Sequence, residues 1–106
     1  MKQAILFIDT SDNQKISVGV QLENKKEIIE REIDTRKAQA VLPMVDEVLK
    51  KHGLSVRNLS SIEVFEGPGS YTGLRVGIAI ANALSYSLKI PVNKRKIGEF
   101  AEPVYE

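Results

Sequence analysis

An apolar run and then an alternating stretch fill the start of the chain before the pattern shifts to a helical period. Ala4-Ile5-Leu6-Phe7-Ile8 is a nearly continuous apolar run. It predicts a strand buried on both faces, near the centre of a sheet. Asp9-Thr10-Ser11-Asp12-Asn13 are turn formers whose side chains bond to nearby backbone. Ile16, Val18, Val20 and Leu22 then alternate with Ser17, Gly19 and Gln21, which predicts a half-buried strand. Glu23-Asn24-Lys25-Lys26 reads as a polar hairpin turn. Residues 27–33 read as a third strand, with Glu30, Arg31 and Glu32 suited to a partly exposed position. The opening is an antiparallel meander.

Ala38, Val41, Leu42, Val45, Val48 and Leu49 fall at helical spacing. Asp34 or Thr35 is placed to cap this helix and Gly53 to end it. Pro43 inside it predicts an irregular turn just before the proline. Residues 55–59 read as a short turn and Ile62-Glu63-Val64-Phe65 as a fourth strand. Gly67-Pro68-Gly69-Ser70 breaks that strand. A second helix follows over 72–87, capped by Ser70 or Thr72. Ile90-Pro91-Val92 is a short last strand with the proline at its entry. Right-handed crossovers add the fourth and fifth strands parallel to the first. The expected fold is α/β, with a mixed five-stranded sheet in order 3-2-1-4-5 and two main helices.

Composition narrows the function. A length of 106 residues allows one domain. Fifteen Lys and Arg against fourteen Asp and Glu leave a formal charge of +1, which argues against nucleic-acid binding driven by charge alone. With no cysteine there is no disulfide scaffold, thiolate metal site or cysteine nucleophile. His52 is the single histidine, so a multi-histidine zinc site is excluded. The run 4–8 is too short for a membrane span or a signal-peptide core, and the expected location is the cytoplasm.

The second helix is apolar on more than one side. Leu74, Ile78 and Ala81 form one row, Val76, Ile80, Ala83 and Leu84 another. Gly73, Gly77 and Ala81 form a small-residue row at spacing four; Arg75, Asn82 and Tyr86 are the polar line. One sheet cannot cover all of this, so the helix is expected between its own sheet and either the first helix or a second protein chain. Gly67-Pro68-Gly69-Ser70 lies at a strand-to-helix turn, where N–H groups can hold an anion. The Walker and dinucleotide spacings are absent, and a structural turn is the stronger reading. Asp9, Thr10 and Ser11 end the first strand at its carboxyl edge, where ligands bind in open α/β sheets; the competing reading is an Asx turn. His52 fits a solvated helix end. Lys89, Lys94, Arg95 and Lys96 are a basic cluster suited to a solvated edge or to RNA phosphates.

Ile8-Asp9-Thr10-Ser11, Val41-Leu42-Pro43-Met44-Val45 and the long stretch from Gly67-Pro68-Gly69-Ser70-Tyr71-Thr72-Gly73-Leu74-Arg75 through Val76-Gly77-Ile78 together closely resemble the TsaB (YeaZ) family, over residues 4 to 93. The resemblance implies one subdomain of the actin-like ATPase (RNase H-like) fold over 1–98. A tail at 99–106 is similar to the family's C-terminal Pro-Val-Tyr segment. On the resemblance, the family's second subdomain is expected to be absent from this sequence.

The implied role is a non-catalytic scaffold in bacterial tRNA threonylcarbamoyladenosine synthesis. It binds a TsaD-like catalytic subunit, with a TsaE-like ATPase in the assembly and tRNA engaged indirectly. Alone, the exposed helices can pair into a homodimer. No cofactor, metal, catalytic residue or membrane is expected. The expected partner face is Ala38, Val41, Leu42, Val45, Gly73, Val76, Gly77, Ile80, Ala81 and Leu84; the candidate anion loop is Gly67, Gly69 and Ser70 with Asp9 and Thr10. Two departures stand out. Lys37 replaces a usual histidine, which weakens a metal or acid–base role there. Glu66 replaces a basic residue, which makes the turn less attractive to anions. The rival classes are a self-associating half-fold that binds nucleotide or tRNA, and a glycoprotease-like hydrolase using Ser70 or Thr72.

Overall fold

Strand β1 (Ala4–Asp9) has β2 (Lys15–Leu22) antiparallel on one side and β4 (Leu59–Val64) parallel on the other; β3 (Lys25–Glu32) pairs with the far edge of β2. The sheet order is β3-β2-β1-β4. This computed structural model describes residues 3–33 and 37–105, with backbone alone for Lys37 and Tyr71. The expected caps Asp34 and Thr35 lie outside the described residues.

The register places the core on one sheet face. Leu6 stands opposite Val20 and Ile62, and Ile8 opposite Val18 and Val64. All six are buried. Helix α1 (Lys37–Lys51) packs over β2 and β3, and helix α2 (Tyr71–Leu88) over β4 and β1. Both helices lie on this face. The expectation that β1 is buried on both sides is therefore corrected: Ile5, Phe7 and Asp9 are only half-buried. An apolar residue on a central strand is fully buried only where a layer covers its face.

Helix α1 runs without interruption through Pro43, against the expected irregular turn. Pro43 and Gln39 are both exposed, so the carbonyl that loses its N–H partner to the proline is on the water side. Gly53 ends α1 as expected. Its φ is +68°, and the N–H groups of His52, Gly53 and Leu54 bond back to Leu49 and Lys50 carbonyls.

The expected fifth strand is absent among the described residues, and the sheet has four strands. Val92 makes an isolated parallel bridge to Ile62, with Ile62 N–H to the Pro91 carbonyl at 3.0 Å and Asn93 N–H to the Ile62 carbonyl at 2.8 Å. The chain then turns away through left-handed conformations at Asn93 and Lys94, φ +51° and +61°. The Asn93 side chain takes over the edge pairing: Val64 N–H donates to its Oδ1 at 2.7 Å and its Nδ2 donates to the Val64 carbonyl at 2.9 Å. One amide side chain thus stands where the next strand residue would have paired.

Candidate docking face and glycine loop

Helices α1 and α2 touch each other on the covered face of the sheet. Their outer side carries Ala38 and Leu42, both exposed, with Val76, Ile80 and Leu84 half-buried. Leu42 keeps 51% of its surface accessible. The other expected partner residues point inward. Val41, Val45 and Ala81 are core, at 0%, 2% and 0% exposure. Gly73 and Gly77 are buried against β1 and the loop after it. A Cβ on Gly77 would stand 2.7 Å from the Thr10 Oγ1 and 3.2 Å from the Ile8 Cγ2. The small-residue row of α2 therefore admits the chain's own first strand, which corrects its placement on a partner face. Spacing four is shared by helix–helix and helix–strand approach, and sequence alone does not separate them.

Thr10 explains that row. Its hydroxyl donates to the Gly73 carbonyl at 2.6 Å and accepts from the Gly77 N–H at 2.9 Å. These are the two ends of one helical i to i−4 pair. Thr10 is 2% exposed and ties β1 to α2. Asp9 Oδ1 accepts from the Ser11 N–H at 2.9 Å and from its hydroxyl at 2.7 Å, which is the Asx turn. The structure thus engages Asp9 in a local turn and Thr10 in a long-range tie to α2.

Gly67 and Gly69 meet the tail at Val104 and Tyr105, and Ser70 follows them at the start of α2. Ser70 caps α2, its Oγ accepting from the Gly73 N–H at 3.2 Å. Gly67 adopts φ +117°, and a Cβ there would stand 2.2 Å from the Val104 carbonyl oxygen. The Gly69 N–H donates to the same carbonyl at 3.2 Å. Backbone of this chain occupies the space and one of the donors an anion would use.

Glu66, read from sequence only as a departure, anchors this arrangement. Its carboxylate accepts from Arg95 and from the Glu102 N–H at 2.8 Å. Burial pushes the Glu66 carboxyl up, but the Glu102 amide and then Arg95 outweigh it and hold it below the usual carboxylate range. Of the basic cluster, Arg95 is thus paired, while Lys89 and Lys94 shape turns with φ +56° and +61°. At the other edge of the sheet, Glu27 of β3 binds Lys51 and His52, each at 2.7 Å. Lys51 first, then His52, lowers the Glu27 carboxyl. His52 thus faces the β3 edge, whereas Ser70 and Thr72 begin the helix that follows β4. The structure forms no nucleophile–base pair from them. No group of three His, Cys, Asp or Glu placed to hold a metal occurs among the described residues. None of their helices is long and apolar enough to cross a membrane.

Residues 25–94 match the family model described as TsaD: tRNA N6-adenosine threonylcarbamoyltransferase. The chain belongs to this family. It is similar to the tRNA threonylcarbamoyladenosine biosynthesis protein TsaB of Buchnera aphidicola subsp. Baizongia pistaciae, 34% identical over 86% of this chain and 41% of that one. The Bacillus subtilis protein of the same name is 36% identical over 84% of this chain and 39% of its own length. The fold superposes on YeaZ from Pseudomonas aeruginosa with a TM-score of 0.80 at 30% identity, covering 89% of this chain and 44% of that chain. The chain spans less than half the length of these relatives. The TsaB resemblance read from the motifs thus holds for family and fold. Within this TsaB-like chain, the Asp9-Thr10-Ser11 and Gly67-Pro68-Gly69-Ser70 motifs serve the joining of β1, α2 and the tail. The sequence assigns no role to Asn93, and it places Asn82 in the polar line and Ala101 in the tail without pairing them. The signal for Asn82 was its place in the polar line of an otherwise apolar helix.

Proposed function

We propose that this chain is a non-catalytic scaffold and dimerisation subunit in tRNA threonylcarbamoyladenosine biosynthesis. In this reading residues 1–98 are one actin-like subdomain and 99–106 a tail, and the protein works in the cytoplasm. It binds and activates a TsaD-like catalytic subunit through the outer face of α1 and α2. A TsaE-like ATPase joins the assembled complex, and tRNA is engaged indirectly.

The observation that carries the reading is the apolar strip of Leu42, half exposed, with Val76, Ile80 and Leu84 on the adjoining helix, in a chain whose relatives bear TsaB names. Water-exposed apolar surface on two touching helices favours burial against another helical surface. The match of residues 25–94 to the TsaD family model supports a partner of related fold. The separation of His52 from Ser70 and Thr72 supports an accessory role, because a hydroxyl nucleophile needs a base within hydrogen-bond reach. Without the catalytic subunit the same strip pairs with a second copy.

The test is solution mass by light scattering, with the chain alone and mixed with the TsaD-type protein of the same source. A heteromeric complex is expected, and Leu42→Asp should dissociate it while leaving the fold intact. A chain that ignores the TsaD-type protein, or a complex indifferent to Leu42→Asp and Ile80→Asp, refutes the assigned face.

A further inference from the structure

The stretch after Val92 returns along α2 and ends on the glycine loop. Residues 96–100 are all exposed, and Gly98 has φ +97° with no atom near its missing Cβ. The chain then becomes tightly held. Asn82 Nδ2 donates to the Ala101 carbonyl at 3.0 Å, and the Ala101 N–H donates to Asn82 Oδ1 at 2.8 Å. The Ala101 methyl is buried, at 3% exposure. The Glu102 N–H reaches the Glu66 carboxylate at 2.8 Å. The Val104 N–H donates to the Glu66 carbonyl at 2.7 Å, and its carbonyl accepts from Gly69. Gly69 and Tyr105 form a parallel bridge. Phe100 meets Tyr86 edge to face at 6.5 Å.

Backbone bonds thus hold an extended segment against the glycine loop, and the buried Ala101 methyl fixes its register, as in peptide recognition through main-chain bonds. We propose that Glu66, Gly67, Gly69 and Asn82 form a receptor for an extended peptide of the type Ala-Glu-Pro-Val-Tyr, whose resident ligand is the chain's own tail, and that the site accepts the same segment in trans from a second copy. Three features separate ligand from fold. Ala101 alone of this segment joins the core; Glu102, Val104 and Tyr105 are exposed. The linker before it is exposed and contains a left-handed glycine, the arrangement that lets a terminal element exchange between copies. Gly67 has no Cβ where Val104 needs the space, so the loop is shaped to a peptide backbone. The tail residue Pro103 restricts the segment to extended conformations and lowers the entropy lost on binding.

The experiment uses full-length chains and a fluorescent peptide of residues 98–106, read by anisotropy. Val104→Pro removes a tail N–H and leaves the receptor untouched. Ala101→Arg ejects the tail by a different route. Both chains should keep the native circular dichroism and bind the peptide saturably, at least about tenfold more tightly than the unaltered chain, whose own tail competes at millimolar effective concentration. Adding Asn82→Ala to either should weaken binding by about tenfold or more, since it removes both bonds to the buried Ala101 backbone. The proposal is overturned if the folded variants show no saturable binding, if the unaltered chain binds equally well, or if Asn82→Ala changes nothing. Loss of fold in both tail variants overturns it as well, because the tail would then be part of the core.

Discussion

Thr10 and Gly77 fit each other as hydroxyl and missing side chain: the Gly77 N–H donates to the Thr10 Oγ1 at 2.9 Å, where a Cβ on residue 77 would stand 2.7 Å from that oxygen. The same hydroxyl donates to Gly73 one turn earlier. This contact sets how close α2 lies to β1, and so where the outer side of α2 faces. Gly77→Leu should therefore destabilise the isolated chain by about 3 kcal/mol or more, the upper range for overpacking a buried site. Thr10→Val, close in shape, should cost about 1–3 kcal/mol by leaving buried polar groups without their bond. Urea denaturation of both variants measures this. A Gly77→Leu chain as stable as the original would return that glycine to a partner surface.

Val41 and Leu42 are neighbours in sequence with opposite fates. Val41 is buried at 0% exposure and Leu42 is 51% exposed. Val41→Ala should cost about 2 kcal/mol through lost burial and a residual cavity. Leu42→Ala should stay within about 0.5 kcal/mol, as for other surface changes. Thermal melts of the two variants make the comparison directly.

Asn93 holds two backbone groups of Val64 with one amide. Asn93→Ala should lower stability by about 1–3 kcal/mol because both groups lose their partner. Asn93→Gly relieves the positive φ but supplies neither bond, so it should recover only the conformational part of that loss. Equal stability of the Gly variant and the original chain would mean that the turn matters and the pairing does not.

The carboxyl of Glu66 is held below its ordinary value of 4.5 by the Glu102 amide and Arg95, against the opposing effect of burial. A carboxylate with a lowered folded value contributes stability that is fully present above its unfolded value. That contribution is lost as the pH falls through the lowered one. Stability should therefore decline on acidification below 4.5, and Glu66→Gln should flatten the decline. Urea midpoints from about pH 6 to about pH 3 test the sign. A Gln variant with an unchanged acid limb would remove Glu66 from the account.

Gly67 combines φ +117° with the Val104 carbonyl 2.2 Å from where a Cβ would lie. Gly67→Ala should loosen the tail, and trypsin should cleave faster at Lys94, Arg95 and Lys96 than in the unaltered chain. An unchanged cleavage rate would show that the loop tolerates a side chain there.

Much of this protein was determined by its sequence alone. A continuous apolar run placed the first strand, period-two alternation the second, and period 3.6 both helices. Turn residues placed the breaks, because these patterns depend on neighbouring residues and on which side of an element meets water. The long Gly-Pro-Gly-Ser motif pointed to the family on the same local terms. The tertiary structure decided what depends on distant partners. Both helices settled on one face, so β1 is buried on one side only. Gly73, Gly77, Val41, Val45 and Ala81 turned inward, leaving a narrower outer strip around Leu42 and Ile80. The fifth strand gave way to the Asn93 amide, and the tail found the glycine loop through Glu66 and Asn82. A helix pattern records that a side is apolar or small. Which neighbour covers it follows only from where the rest of the chain packs.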